Sequence, residues 1–445
     1  MGLTRDLELL DLMAPRDVPV EKPPARVRLD RRSGLAILFV CLLLPAYQEF
    51  AGLRLSPLRV FLIACFVPFT ISVLMGKAGR ISSADLLILA YCVWIFVALS
   101  VVHGSDQLPF AGISVIEALG GYMAGRILIR STVDYKRLIK ILFVSLALLV
   151  PTTLIEAFTG WMVIPELIDQ LVLSNTRDPS AYGRLGLDRV YSVFEHPILF
   201  GLYSVAGLTS FYYMLGQKLS LAAIALSLGM TFFALSSAPL IAAAAQIFLI
   251  LWARLTGGRW HTLILLSVFL YVSVDLLSDR TPVTILIEKL TFNPLSGWTR
   301  IAIFDAGITA VINNPVFGIG FNDWPRPAWL TSSVDNFWLL NAMRYGMVGG
   351  GLLIAAFLAQ TLRVVRAECT TQDEKNTQRA YVITLAAICF TLCTVHVWGS
   401  LGVFVMFFLG AGGWMAPAHQ KRAKSLRLPD LPTSRADPNQ QGYSL

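Results

Sequence analysis

The chain has 445 residues, of which 56% are hydrophobic and only 14% charged, and its mean hydropathy is +0.65. Soluble domains carry roughly 25% charged residues, so this composition excludes a soluble multidomain enzyme, a nucleic-acid binder and a disordered scaffold. It describes a protein dissolved in lipid, in which a net charge of +8 reports which loops stay in the cytoplasm rather than an anionic partner.

In chain order, residues 1–33 form a polar tail rich in Arg, Asp and Pro. The first apolar run starts too late for a cleavable signal peptide, so the tail reads as a disordered cytoplasmic extension, as does 419–445. Between them lies the membrane domain, 34–418. A helix crossing the hydrocarbon layer needs roughly 20 apolar residues. Candidate spans fall near 34–52, 57–76, 84–102, 110–129, 138–158, 196–215, 219–236, 238–254, 261–278, 336–362, 380–397 and 401–418. The fold class is therefore an all-α polytopic membrane protein of about twelve helices. Residues Ser236 to Pro239 interrupt the seventh and eighth spans and predict a tight hairpin between them; one kinked helix there would move every later loop to the other side.

The charge distribution orients these helices. Loops 126–140 and 363–379 are densely basic, whereas 103–109 and 396–400 contain neither Lys nor Arg. By the positive-inside rule both termini are cytoplasmic. Five cysteines (Cys41, Cys65, Cys92, Cys389 and Cys393) lie in apolar runs and Cys369 in a basic loop, a distribution unlike a disulfide framework or a metal knuckle.

Two outer segments, 159–195 and 279–335, exceed the length of simple connectors and are where function is expected. The second has apolar patches at 284–287 and 301–304, which predict short helices lying on the membrane face. In it, Arg300 opens an amphipathic stretch whose guanidinium can face water while Ile and Phe dip into lipid. Asn314, Pro315, Gly318 and Gly320 predict a tight turn that offers backbone amides to a ligand. Asp335 stands at the mouth of the tenth helix, ahead of Asn341, Arg344 and a packing surface at Gly349–Gly351. The first segment ends in Arg184, Asp188, Arg189, Glu195, His196 and Pro197, and six of the ten tryptophans, Trp298, Trp338 and Trp398 among them, fall on this side.

Each of these features also has a plain reading. Asp335 can cap the tenth helix, Arg300 can snorkel at the interface, and the tryptophans can be an aromatic belt rather than a sugar platform. Glu195 before a proline at a helix start is favourable electrostatics in any protein. His196 alone is a weak signal, and Asp305 reads as a solvated loop residue. No P-loop, zinc-protease motif or aspartate run of metal-ligand spacing is present, so no metal or cofactor is expected. Nor does a carboxylate–arginine chain at the helix centres mark a proton-coupled transporter.

The order and placement of these residues resemble the bacterial O-antigen ligase/polymerase superfamily. The resemblance rests on Arg300, on Asn314, Pro315, Gly318 and Gly320, and on Asp335, Asn336 and Leu339 followed by Gly346 and Gly349. Arg189 through Phe194, Glu195, His196 and Pro197 resemble the family's stretch before the sixth helix. The motifs cover roughly 185–350. The resemblance implies glycosyl transfer on the outer face of the bacterial inner membrane, from a glycan carried on undecaprenyl diphosphate. Ligases of this family typically carry His where Asp335 stands and many members carry an Arg after the seventh helix. Both departures favour a polymerase that extends a surface or exopolysaccharide over an O-antigen ligase acting on lipid A–core. A non-catalytic carrier or flippase for the same lipid is the alternative from another class.

Such a transfer needs cations for the departing diphosphate and a base for the attacking sugar hydroxyl. Arginine suits the first because it stays charged and grips phosphate oxygens in pairs; Arg189 and Arg300 are the candidates, with Arg184 in reserve. For the base, Asp335 leads and Glu195 is the alternative. His196, Trp298, Trp338 and Asn336 are weaker candidates for contact with the glycan. The expected partners are the undecaprenyl-diphosphate-linked oligosaccharide, membrane lipid and a chain-length regulator or another polysaccharide-assembly protein, without nucleic acid.

Overall fold

The computed structural model describes residues 30–50, 52–174, 183–278, 285 and 294–415. The two expected tails lie outside them, apart from 30–33, and of the apolar patch 284–287 only residue 285 is included. The described chain is helical and membrane-embedded. Seven helices are long and apolar enough to cross a bilayer: α2 (Pro57–Leu74), α3 (Ser83–His103), α4 (Leu108–Leu128), α5 (Thr132–Thr159), α10 (Ser237–Leu255), α11 (Trp260–Leu277) and α13 (Phe337–Val365). Shorter helices are α1 (Arg31–Leu43), α6 (Val163–Asp169), α7 (Pro197–Val205), α8 (Leu208–Met214), α9 (Gln217–Phe233) and α15 (Gly399–Ala411). The 20-residue α12 (Pro294–Asn313) and the 21-residue α14 (Gln372–Leu392), which begins with charged residues, complete the set.

The expected first span, 34–52, is corrected. The helix stops at Leu43 because Pro45 follows: Leu44 is extended, with φ −90° and ψ 106°, as the residue before a proline prefers. Beyond it Ala46–Phe50 (β1) pairs antiparallel with Leu53–Leu55 (β2) and with Leu173–Ser174 (β3), in the order β2-β1-β3. A small sheet thus joins the otherwise helical fold. In the second outer segment the structure places one continuous helix, α12, over 294–313 instead of short pieces. Between α9 and α10 the helix ends and a new one starts, with Leu235 left-handed at φ 44° and Ser236 extended.

Small residues let α4 and α15 cross with their backbones in contact. A Cβ on Gly121 or Gly125 of α4 would collide with the Val403 or Phe407 carbonyl of α15, and one on Gly410 would collide with the Tyr122 carbonyl. This spacing of small residues lets two backbones touch where lipid supplies no hydrophobic drive.

The basic loops gather at one end of the bundle. Arg31 and Arg137 both pair with Asp134 (3.2 and 2.8 Å), and Lys136 reaches Asp373 at 2.6 Å. Arg126, only 1% exposed, donates to Asp85 at 2.9 Å, to the Gly413 carbonyl at 2.7 Å and to the Arg80 carbonyl at 3.3 Å. Tyr122 donates to the same Asp85 at 2.7 Å. Loops 77–80, 126–140 and 363–379 are therefore held together with both ends of the described chain.

Candidate functional site

At the opposite end, the loop 183–196 is pinned on both sides before any ligand is considered. Asp188 N donates to the Ala157 carbonyl and Val190 N to the Phe233 carbonyl (3.0 and 3.1 Å). The buried Glu156, in the last turn of α5, accepts from Tyr191 N at 2.6 Å and Ser192 N at 3.0 Å. Ser192 is left-handed at φ 57°, a conformation that costs a non-glycine residue of order 1–3 kcal/mol and that the doubly bonded Glu156 carboxylate holds in place.

This loop delivers Arg184 and Arg189 to Arg300. Arg184 donates through Nη1 to the Leu235 carbonyl at 2.8 Å. Burial, and then repulsion from Arg300, lower its pKa from the usual arginine value. Burial lowers that of Arg189 further, to about 10, with Arg184 and Arg300 adding repulsion. The Nε atoms of Arg189 and Arg300 are both buried without a hydrogen-bond partner. The carboxylate Asp335, 43% exposed, stands 3.7 Å from Arg300 Nε, too far for a hydrogen bond but within ion-pair range. Three guanidinium groups that repel one another, with two buried donors unmet, form a concentrated positive site open to a polyanion.

Arg300 does not sit as the amphipathic reading places it. Ile303, Ala310 and Val311 on α12 are buried in a cluster with Leu339 and Met343 of α13, and Gly307 meets those same two side chains. Arg300, one turn before Ile303, shares that inward face and is only 20% exposed. Phe304 (46%) and Ile312 (66%) face outward. Helical periodicity pairs residue 300 with 303, 307 and 310, and the packing of α12 against α13 decides which face is inside.

Asp335 is not the helix cap. Asn336 is: its Oδ1 accepts from Leu339 N at 3.0 Å, which leaves Asp335 to Arg300. His196 does serve a structural role, since its Nδ1 accepts from Ile198 N at 3.1 Å and caps α7. Trp298 is 45% exposed. Trp338 donates to the Cys389 carbonyl at 3.3 Å and packs edge-on against Phe357, so its ring is engaged in helix packing.

The glycine turn is also corrected. Its amides are not offered to a ligand: Ile319 N donates to the Met343 carbonyl at 2.8 Å and Gly320 N to the Arg344 carbonyl at 3.0 Å, while Met347 N returns to the Pro315 carbonyl at 2.7 Å. These exchanges are possible because Gly346, at φ 71° and ψ 177°, breaks α13 and frees its carbonyls. Of the expected packing surface at 349–351, Gly349 faces the Trp94 ring and Gly351 faces open space.

Glu195 lies apart from the arginine–aspartate pair in its bonding. It accepts from the indole N–H of Trp398. Glu117, on the π turn Ile116–Gly120 of α4, pairs with Arg59 Nε at 2.7 Å. Sequence reasoning named none of Arg59, Glu117, Glu156 and His396 as site residues, although Arg59 and the 396–400 loop already fell on the outer side. The available signal was a charged side chain inside an apolar run, which lipid tolerates only with a partner.

No family model matches the chain, and no curated protein matches its sequence.

Proposed function

We propose that the protein is a membrane glycosyltransferase that polymerises a surface or exopolysaccharide from undecaprenyl-diphosphate-linked units. The convergence of Arg184, Arg189 and Arg300 beside Asp335 supports this reading, because it pairs a polyanion site with an adjacent carboxylate at a loop-covered helix end. In the reaction an acceptor sugar hydroxyl attacks the anomeric carbon of the lipid-linked glycan. The bond from that carbon to the phosphate oxygen breaks, and undecaprenyl diphosphate leaves with the electron pair. Asp335 takes the hydroxyl proton, help that typically contributes ~10²–10⁴-fold. The arginines neutralise the charge growing on the departing diphosphate, and preorganised donors of this kind are worth several kcal/mol in a water-poor site.

On this reading the protein spans a bacterial inner membrane twelve times, with both termini cytoplasmic and the arginine site periplasmic. The gathering of the basic loops 77–80, 126–140 and 363–379 at the end away from the arginines supports that orientation. Arg300→Ala and Asp335→Asn, each checked for normal accumulation in the membrane, should abolish long polysaccharide on a gel of cell-surface glycans and leave single repeat units on the lipid. Wild-type chain lengths in both variants sink the site assignment. Full-length polymer that stays unattached after deletion of the protein would identify a ligase instead.

A further inference from the structure

Beside the arginine cluster lies a second group of side chains whose chemistry differs from it. Glu195 accepts from Trp398. The Trp398 ring lies 6.2 Å from that of His196 and 5.6 Å from that of His396, nearly parallel to the latter at 28°. His396 in turn stacks on Phe337 at 6.2 Å and 19°, two residues from Asp335. The ladder therefore runs from the start of α13 to Glu195, and α15, which begins right after Trp398, packs against the π turn that carries Glu117. Arg59 and Glu117 each keep 23% of their side-chain surface accessible within apolar helices. The Nδ1 atom of His396 is buried without a partner.

Arg59 is already neutralised by Glu117, and Glu195 adds a second carboxylate, so the group disfavours an anion. Among the described residues no cluster of three or more His, Cys, Asp or Glu completes a metal shell. What remains is a neutral, hydroxyl-rich ring. Carboxylates accept from hydroxyl groups, the unmet imidazole nitrogen can join them, and flat aromatic faces cover the C–H faces of a sugar. Pockets for such ligands combine apolar walls with a few placed polar groups.

Building on the proposed transferase reading, we propose that the Glu195–Trp398–His396 strip, with Glu117 behind it, is the subsite for the acceptor saccharide. The diphosphate of the donor occupies the arginines. Glu195 then binds the acceptor, and Asp335 alone is left as the base. The strip leads towards Asp335, which brings a seated acceptor hydroxyl to the carboxylate that removes its proton.

The test separates the two ligands. Purified protein in lipid nanodiscs is titrated with undecaprenyl diphosphate and, separately, with the saccharide released by mild acid from lipid-linked intermediates of cells lacking the protein. Trp398→Ala and Glu195→Gln should weaken saccharide binding by roughly tenfold or more, the loss of one charge-assisted hydrogen bond, and leave diphosphate binding unchanged. Arg300→Ala should do the reverse. Trp398→Phe, which keeps the ring and loses only the N–H, guards against misfolding: it should melt like the wild type and bind saccharide with intermediate affinity. Undiminished saccharide binding in Trp398→Ala and Glu195→Gln overturns the proposal. So does equal loss of both ligands in the folded Trp398→Phe protein. Saccharide binding at this strip by a protein that forms no glycosidic bond would overturn the transferase reading and uphold the subsite.

Discussion

Replacing Arg189 by Met should have effects of opposite sign on stability and on ligand binding. In the folded protein Arg189 is half-buried, its buried Nε has no acceptor, and Arg184 and Arg300 repel it. A buried donor left unmet costs about 1–3 kcal/mol. Methionine keeps the length of the stem while removing both the donor and the charge, so the ligand-free protein should gain stability of that order. On the proposed function, a bound diphosphate gives Arg189 an acceptor and offsets the repulsion. Losing a hydrogen bond to a charged group costs about 1.5–3 kcal/mol, so undecaprenyl diphosphate should bind roughly 10- to 100-fold more weakly. Thermal melting in nanodiscs, with and without the lipid, reads both quantities in one series. The wild type should melt below Arg189→Met without ligand and be raised more by ligand. A variant that melts lower when empty and binds as tightly as the wild type refutes the reasoning.

His396 has its pKa lowered from 6.5 to about 3 by burial and by Arg344. The unfolded chain takes up a proton below 6.5 that the folded chain refuses until about 3, so stability drops on acidification, by roughly 2 kcal/mol from pH 6.5 to 5. His396→Phe should flatten that acid limb of a melting-temperature profile. Removing one partner of a buried ion pair costs about 3–5 kcal/mol, so Arg126→Ala, which strands Asp85, should sharply reduce folded protein recovered in detergent. Gly346→Ala forces a side chain into a backbone region suited to glycine and against the Val316 carbonyl. It should lower stability by at least ~1–3 kcal/mol, and a melting temperature equal to that of the wild type would dismiss the kink.

What the amino-acid sequence determined by itself was the local solution to living in lipid. Apolar runs placed the helices, because each run must satisfy its own backbone hydrogen bonds, and Pro45, Leu235 and Gly346 mark places where that rule is locally broken. The basic character of 126–140 and 363–379 was equally visible, and the ion pairs of Asp134 and Asp373 show those loops side by side. The arginines and Asp335 were nameable as candidates because charged side chains are scarce there. Only the tertiary structure decided which of them meet. Arg184 and Arg300 are more than a hundred positions apart, and their approach depends on Glu156 holding one loop and on the buried face of α12 turning the other inward. The glycine turn belongs to the kink of α13, and Trp398 belongs to Glu195, for the same reason. Hydropathy is a property of neighbours along the chain, whereas a site is made by packing between segments that the chain order does not bring together.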